Sequence, residues 1–188
     1  VLFTGDGKEY SGAVQDVGRR DVAILIDWVG EVNRERAHRL VVAAPMPKGD
    51  RGQLLVEKLT ELGVTELVLL ETARSIRHPG EGKLEKLERW VLEASKQCGR
   101  NVLMSIRGPV PWSQLAGGQG LPAVKYLAHP GGSEEFQGGG DLVAAVGPEG
   151  GWTEEELALG RSAGWRCVGL GPRILRVETA AITLAARA

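Results

Sequence analysis

From Arg39 to the C-terminus, short apolar runs alternate with stretches of helical period, and few folds accept that grammar. "RLVVAAPM" is an apolar strand closed by Pro45 and Pro47. "GQLLVEKLTEL" sets Leu55, Leu59 and Leu62 on one helical face, and Gly63 follows as a helix-ending glycine. "TELVLLE" is the next strand. "KLEKLERWVLEASKQCG" carries Leu84, Leu87, Val91, Ala94 and Cys98 along one stripe with Gly99 behind it. "VLMSI", "AVKYLAH", "LVAAV" and "RCVGLG" read as further strands. The alanine-rich terminal segment turns Val177, Ala180, Ala181, Leu184, Ala185 and Ala188 to one side of a helix. Such alternation predicts an α/β fold with a mainly parallel sheet covered on both faces. Ligands of these sheets bind beyond the C-terminal ends of the strands.

Residues 1–38 follow a different pattern. "VLFT", "KEYSGAVQDV" and "DVAILIDWVGEV" are strand-like and are broken by "GDG" and "GRRD" turns. The chain therefore divides into a small all-β piece, 1–38, and an α/β domain, 39–188. It opens on Val1, and its abrupt start reads as a truncated barrel. At 188 residues it can bury a real core. The formal net charge of −1 argues against a general nucleic-acid coat, which is normally basic, and leaves room for a local basic patch. Cys98 and Cys167 fit no metal-ligand spacing and read as reduced, core-filling thiols. No apolar run is long enough to span a bilayer.

The richest stretch is "LVAAVGPEGGWTEEEL", from Leu142 to Leu157: a buried strand, a glycine turn, then a helix start. Thr153 and Glu156 form a capping box, with Trp152 and Leu157 as its hydrophobic staple. Glycine turns in this position usually cradle phosphates, yet this one lacks the lysine and hydroxyl of a Walker loop. The dinucleotide fingerprint fails in "GLGPRI", where Ile174 stands in place of the third glycine. A helix N-terminus is equivalent to roughly +0.5 charge, and Glu154, Glu155 and Glu156 already answer it. A phosphate would also meet Glu149. The turn suits a neutral or cationic ligand such as ribose hydroxyls, an adenine edge or a positive group, and S-adenosylmethionine has all of these without a phosphate. The alternative is a plain tight turn whose Glu149 caps a nearby amide. A second loop, "LGPRILRVETAA", packs Arg173, Arg176 and Glu178 beside Gly171. Ile174 and Leu175 alternate with its charges, so its backbone is partly buried and needs partners.

These loops resemble the signature of the RsmE family of ribosomal RNA methyltransferases, a branch of the SPOUT superfamily. "KGDRGQLLVEKLTELGVTEL", "EASKQCGR", "VGPEGGWTEEEL" and "LGPRILRVETAA" are similar to its four conserved blocks, in the same order. The resemblance covers residues 39–188, and the all-β start resembles a partial PUA-like, RNA-binding barrel. It implies a SPOUT-type α/β fold with a C-terminal deep trefoil knot. It also implies a cytoplasmic homodimer that uses S-adenosyl-L-methionine to methylate N3 of one uridine in small-subunit ribosomal RNA. Carried over to this chain, the cofactor cradle is Leu127 and His129, then Gly147, Pro148, Glu149, Gly150 and Gly151, then Leu170, Gly171, Arg173, Ile174 and Leu175.

Arg176 is the expected catalytic residue, stabilising negative charge on the uracil oxygens. Glu178 either orients it or accepts the proton. Lys48, Lys58, Arg74, Arg77, Lys96, Arg100 and Arg173 are the candidates for holding ribosomal RNA. His38, His78 and His129 share no metal-ligand spacing, so no metal is expected. The competing readings are a ribose 2′-O methyltransferase of the same superfamily and a non-catalytic ribosome-assembly factor that keeps the fold as a scaffold.

Overall fold

A computed structural model describes residues 1–75 and 83–188. Its elements in chain order are β1 (Leu2–Phe3), β2 (Lys8–Val17), β3 (Val22–Glu31), β4 (Leu40–Ala44), α1 (Asp50–Glu61), β5 (Glu66–Glu71), α2 (Lys83–Cys98), β6 (Ser105–Pro111), α3 (Trp112–Ala116), β7 (Val124–Ala128), β8 (Leu142–Val146), α4 (Glu154–Ser162), β9 (Arg166–Val168) and α5 (Val177–Arg187). The first three strands form an antiparallel sheet. The other six form one sheet in the order β6-β5-β4-β8-β7-β9, every pairing parallel.

Burial on both faces explains why these strands read as continuous apolar runs. Every residue of β4 and β8 is buried, and side-chain parity sorts them into two cores. Leu40, Val42 and Ala44 join Leu55 and Leu59 of α1, Val91 of α2 and Leu184 of α5 on one face. Val41 and Ala43 join Trp112, Trp152, Leu157 and Trp165 on the other. Three tryptophans make that second core: Trp112 lies 4.7 Å from Trp152 and 4.9 Å from Trp165, ring centre to ring centre. Gly63 and Gly99 follow α1 and α2 at φ of +75° and +74°.

The structure corrects several expectations. Cys98 is exposed, whereas Cys167 is half-buried and packs against the tryptophan core from its edge. Leu84 begins the α2 stripe yet is 43% exposed, because the buried part of α2 starts at Leu87. The strand expected in "VLMSI" begins at Ser105 and runs on to Pro111. Helix α3 was not anticipated: five residues are too few to display a period.

The segment after β3 is fastened to the larger sheet by side chains of Arg100 and Asn101. Arg100, only 4% exposed, grips Glu35 through Nε at 2.8 Å and Nη2 at 2.6 Å, and donates to the Thr60 carbonyl at 3.1 Å. Asn101 donates to the Gly7 and Val32 carbonyls at 3.1 and 2.8 Å.

At the opposite edge, the chain following β7 wraps tightly over β9. Amides of His129 and Glu134 donate to the carbonyls of Val168 and Cys167, both at 3.0 Å. A Cβ at Gly132 would stand 2.4 Å from the Val168 backbone, so only glycine permits this crossing. The Tyr126 hydroxyl, beneath, accepts from the Gln137 amide at 3.0 Å and holds the far limb of the same loop.

Below the sheet, Glu66 joins three neighbouring segments by accepting from Arg39 at 2.9 Å and Arg107 at 2.6 Å. Burial pushes its pKa up, but the bonds from Arg107 and Arg39 outweigh burial and hold the carboxyl below its ordinary 4.5. A depressed folded pKa stabilises the protein above the unfolded value, and that stability is lost as pH falls through the folded one. Both arginines are nearly half-exposed, so screening limits the contribution to about 1 kcal/mol. Glu66→Gln should therefore lower stability by about that amount at neutral pH. In chemical denaturation, the gap from wild type should close as pH drops below 4.5; a gap that persists unchanged in acid would contradict this.

Candidate functional site

Beyond the C-terminal ends of β7 and β8 lies a cavity of about 530 Å³, within the ~300–1,000 Å³ range of small-molecule sites. Its walls are the residues after β7, the glycine turn after β8 and the loop entering α5. Of the expected cradle, His129, Gly147, Pro148, Glu149, Gly150, Gly151, Leu170, Gly171, Arg173, Ile174 and Leu175 all line it, together with Arg176. Leu127 does not. Its side chain is fully buried in the tryptophan core, because strand parity turns it to the other face, and Ala128 faces the cavity instead.

The glycine turn is held rigid from three directions. Trp152 donates through its indole to the Ala128 carbonyl at 3.0 Å, joining the ends of β7 and β8. Its ring lies against Gly147, where a Cβ would come within 2.8 Å of the indole nitrogen. Arg74 donates to the carbonyls of Gly150 at 2.8 Å and Trp152 at 3.3 Å. The expected capping box is present at α4, and Glu156 does double duty there. One carboxylate oxygen accepts from the Thr153 amide at 2.9 Å, the other from the Ala73 amide at 2.8 Å.

Charge around the cavity is uneven. Among the described residues, Arg74, Arg173 and Arg176 line it, against one carboxylate, Glu149. Glu149 is half-exposed and stands 3.8 Å from Arg51 in the first turn of α1. Nothing in the sequence pointed to Arg51. Its position depends on β4 pairing with β8, which sets the start of α1 beside the glycine turn. Nδ1 of His129 accepts from the Gly131 amide at 3.1 Å, so a neutral ring carries its proton on Nε2.

Arg176 is the N-cap residue of α5, with an exposed side chain. Glu178 lies in the first turn, 4% exposed, and among the described residues its Oε2 has no hydrogen-bond partner. Among the described residues, no ion pair joins Arg176 to Glu178. Glu178 thus sits behind the cavity wall rather than in it, in the first turn of α5.

The basic residues separate by helix polarity. Crossover helices run antiparallel to the strands, so their first turns lie at the cavity end and their last turns at the far end. Lys48 and Arg74 precede such helices, and Arg173 is on the cavity itself. Lys58 and Lys96 sit in the last turns of α1 and α2, paired with Glu61 at 2.7 Å and Glu93 at 2.9 Å. The Glu61 hydrogen bond raises the Lys58 pKa. Arg100 is buried against Glu35 and is a structural cation. These three do not form one patch with the cavity residues. Arg77 and His78 lie outside the described residues. Among the described residues, no group of three or more His, Cys, Asp or Glu side chains could hold a metal ion, and no helix is long and apolar enough to cross a membrane.

Comparison with known proteins follows the same outline. Residues 34–188 match the family described as RNA methyltransferase domain. The chain is 33% identical, over 96% of its length, to ribosomal RNA small subunit methyltransferase E of Synechocystis, and spans 62% of that relative. With the Bacillus subtilis protein of the same name the identity is 33%, covering 96% of this chain and 77% of that one. The solved Neisseria gonorrhoeae ribosomal RNA small subunit methyltransferase E, bound to S-adenosyl methionine, superposes with a TM-score of 0.87 at 28% identity, covering 98% of this chain and 79% of that one. A Legionella pneumophila protein solved with the cofactor SAM gives 0.90 at 33% identity, covering 98% and 79%.

The contact between Gly147 and Trp152 makes a prediction independent of any ligand. Gly147→Ala forces a methyl group onto the indole and should cost about 1–3 kcal/mol, with tryptophan emission shifted to the red. Gly140→Ala, where a Cβ meets nothing within 4 Å, should stay within about 0.5 kcal/mol of wild type. Identical melting of the two variants would show that the contact constrains nothing.

Proposed function

Because the chain belongs to the RNA methyltransferase domain family, we propose that it methylates small-subunit ribosomal RNA with S-adenosyl-L-methionine as donor, at N3 of a uridine. The observation that carries this is the cavity itself. Its glycine turn bears a carboxylate instead of a phosphate-binding lysine, and its rim bears arginines. Bound there, the donor supplies a methyl group on a positively charged sulfur.

The chain's residues do the positioning. The turn held by Trp152 and Arg74 offers backbone amides and carbonyls to an adenosyl group. Well-oriented reactants can contribute on the order of 7–11 kcal/mol to lowering the barrier of an in-line methyl transfer. As the N3–C bond forms and the S–C bond breaks, its electron pair goes to sulfur and N3 loses a proton. Arg176 stabilises the charge developing on the uracil oxygens. Glu178, buried behind the cavity wall, either orients Arg176 or takes the proton through water. Arg173 and Lys48 engage RNA phosphates beside the cavity.

The finer architecture follows the same reading. The tight passage of Gly132 over Val168 and Gly169 supports a deep trefoil knot. The antiparallel sheet supports a partial PUA-like, RNA-binding domain over 1–38, before the methyltransferase domain at 39–188. The protein acts as a cytoplasmic homodimer.

Mass-spectrometric nucleoside analysis of ribosomal RNA from cells lacking the gene should find 3-methyluridine missing from the small subunit. Loss of a 2′-O-methyl nucleoside instead would identify a ribose methyltransferase, and no loss would leave the scaffold reading. Arg176→Ala should slow single-turnover methyl transfer on the order of 100-fold while donor affinity stays within a few-fold of wild type. An unchanged rate would remove Arg176 from the chemistry.

A further inference from the structure

The cavity poses an electrostatic problem. Among the described residues its walls carry three arginines and one carboxylate, so a cationic ligand meets more positive than negative charge there. Arg74 is committed to the carbonyls of Gly150 and Trp152, which fixes its charge beside the glycine turn rather than removing it. Among the described residues, Glu149 is the one on the wall whose charge attracts a cation. Its ion pair with Arg51 is long, at 3.8 Å, with both side chains about half-exposed. A pair of that kind is weak in water, so the carboxylate keeps most of its capacity for another positive partner.

We infer that Glu149 discriminates the charged methyl donor from its neutral product, and that Arg51 is the counter-ion that competes for it. This rests on the proposed use of S-adenosylmethionine. Methyl transfer turns a sulfonium into a thioether, so S-adenosylmethionine and S-adenosylhomocysteine differ at sulfur by one methyl group and one unit of charge. Their amino and carboxylate groups are the same. A carboxylate that senses the sulfur holds the donor and loses its hold when the methyl leaves. Arg51 then re-pairs with Glu149, and the neutral thioether keeps no ionic hold on that carboxylate.

The test is calorimetric titration of the whole protein with each compound, comparing the ratio of the product's Kd to the donor's Kd. Damage to the fold affects both constants, so the ratio isolates the charge at sulfur. Glu149→Gln should lower the ratio by about three- to tenfold at low salt, as expected for one charge interaction near a surface. Arg51→Gln should raise it by about two- to threefold by removing the competitor. Both effects should shrink as salt screens the exposed pair. Equal weakening of the two compounds in Glu149→Gln would place the carboxylate on their shared amino group and overturn the inference. Unchanged affinity for both compounds in that variant, or a fall of the ratio in Arg51→Gln, would overturn it too. Wild-type protein that binds neither compound would sink the methyl-donor reading itself, a different failure from a ratio that does not move.

Discussion

The indole of Trp152 over Gly147 is the contact on which the site depends. One ring closes the tryptophan core, and its N–H ties the glycine turn to the end of β7. The residue after it is the N-cap of α4, so the turn, the core and the helix start are fixed together. Without that approach, the carbonyls gripped by Arg74 and the carboxylate at Glu149 would have no defined place. Function here is a property of a turn that cannot relax.

Parallel pairing explains why chemistry collects at one end. Each crossover helix returns antiparallel to the strands, so strand ends, helix starts and the loop into α5 converge on one rim. The opposite rim carries stabilising groups such as Glu66 with Arg39 and Arg107. Arginines on this chain therefore divide by position: Arg100 is buried as a bolt, while Arg173 and Arg176 face the cavity.

Most of the fold was legible because burial on two faces writes itself as continuous apolar strands and one-sided helices. The capping box at Thr153 and the face of α5 followed directly from spacing. What escaped depends on three-dimensional placement. Leu127 and Ala128 are indistinguishable as wall residues until the parity of β7 against its neighbours is known. Lys58 and Lys96 look like neighbours of the cavity residues until the direction of α1 and α2 carries them to the far end. Arg51 gave no signal because its partner lies across the sheet order, and the burial of Glu178 depends on what packs around α5. α3 was too short to have a period.

The central claim is that the loops after β7, β8 and β9 form a receptacle for adenosine joined to a sulfonium. Crystals grown with S-adenosylmethionine test it most directly. The account predicts density for the whole molecule between the 147–152 turn and the 170–175 loop. A vacant cavity at saturating concentration, or a nucleoside triphosphate bound there in competition, would contradict it.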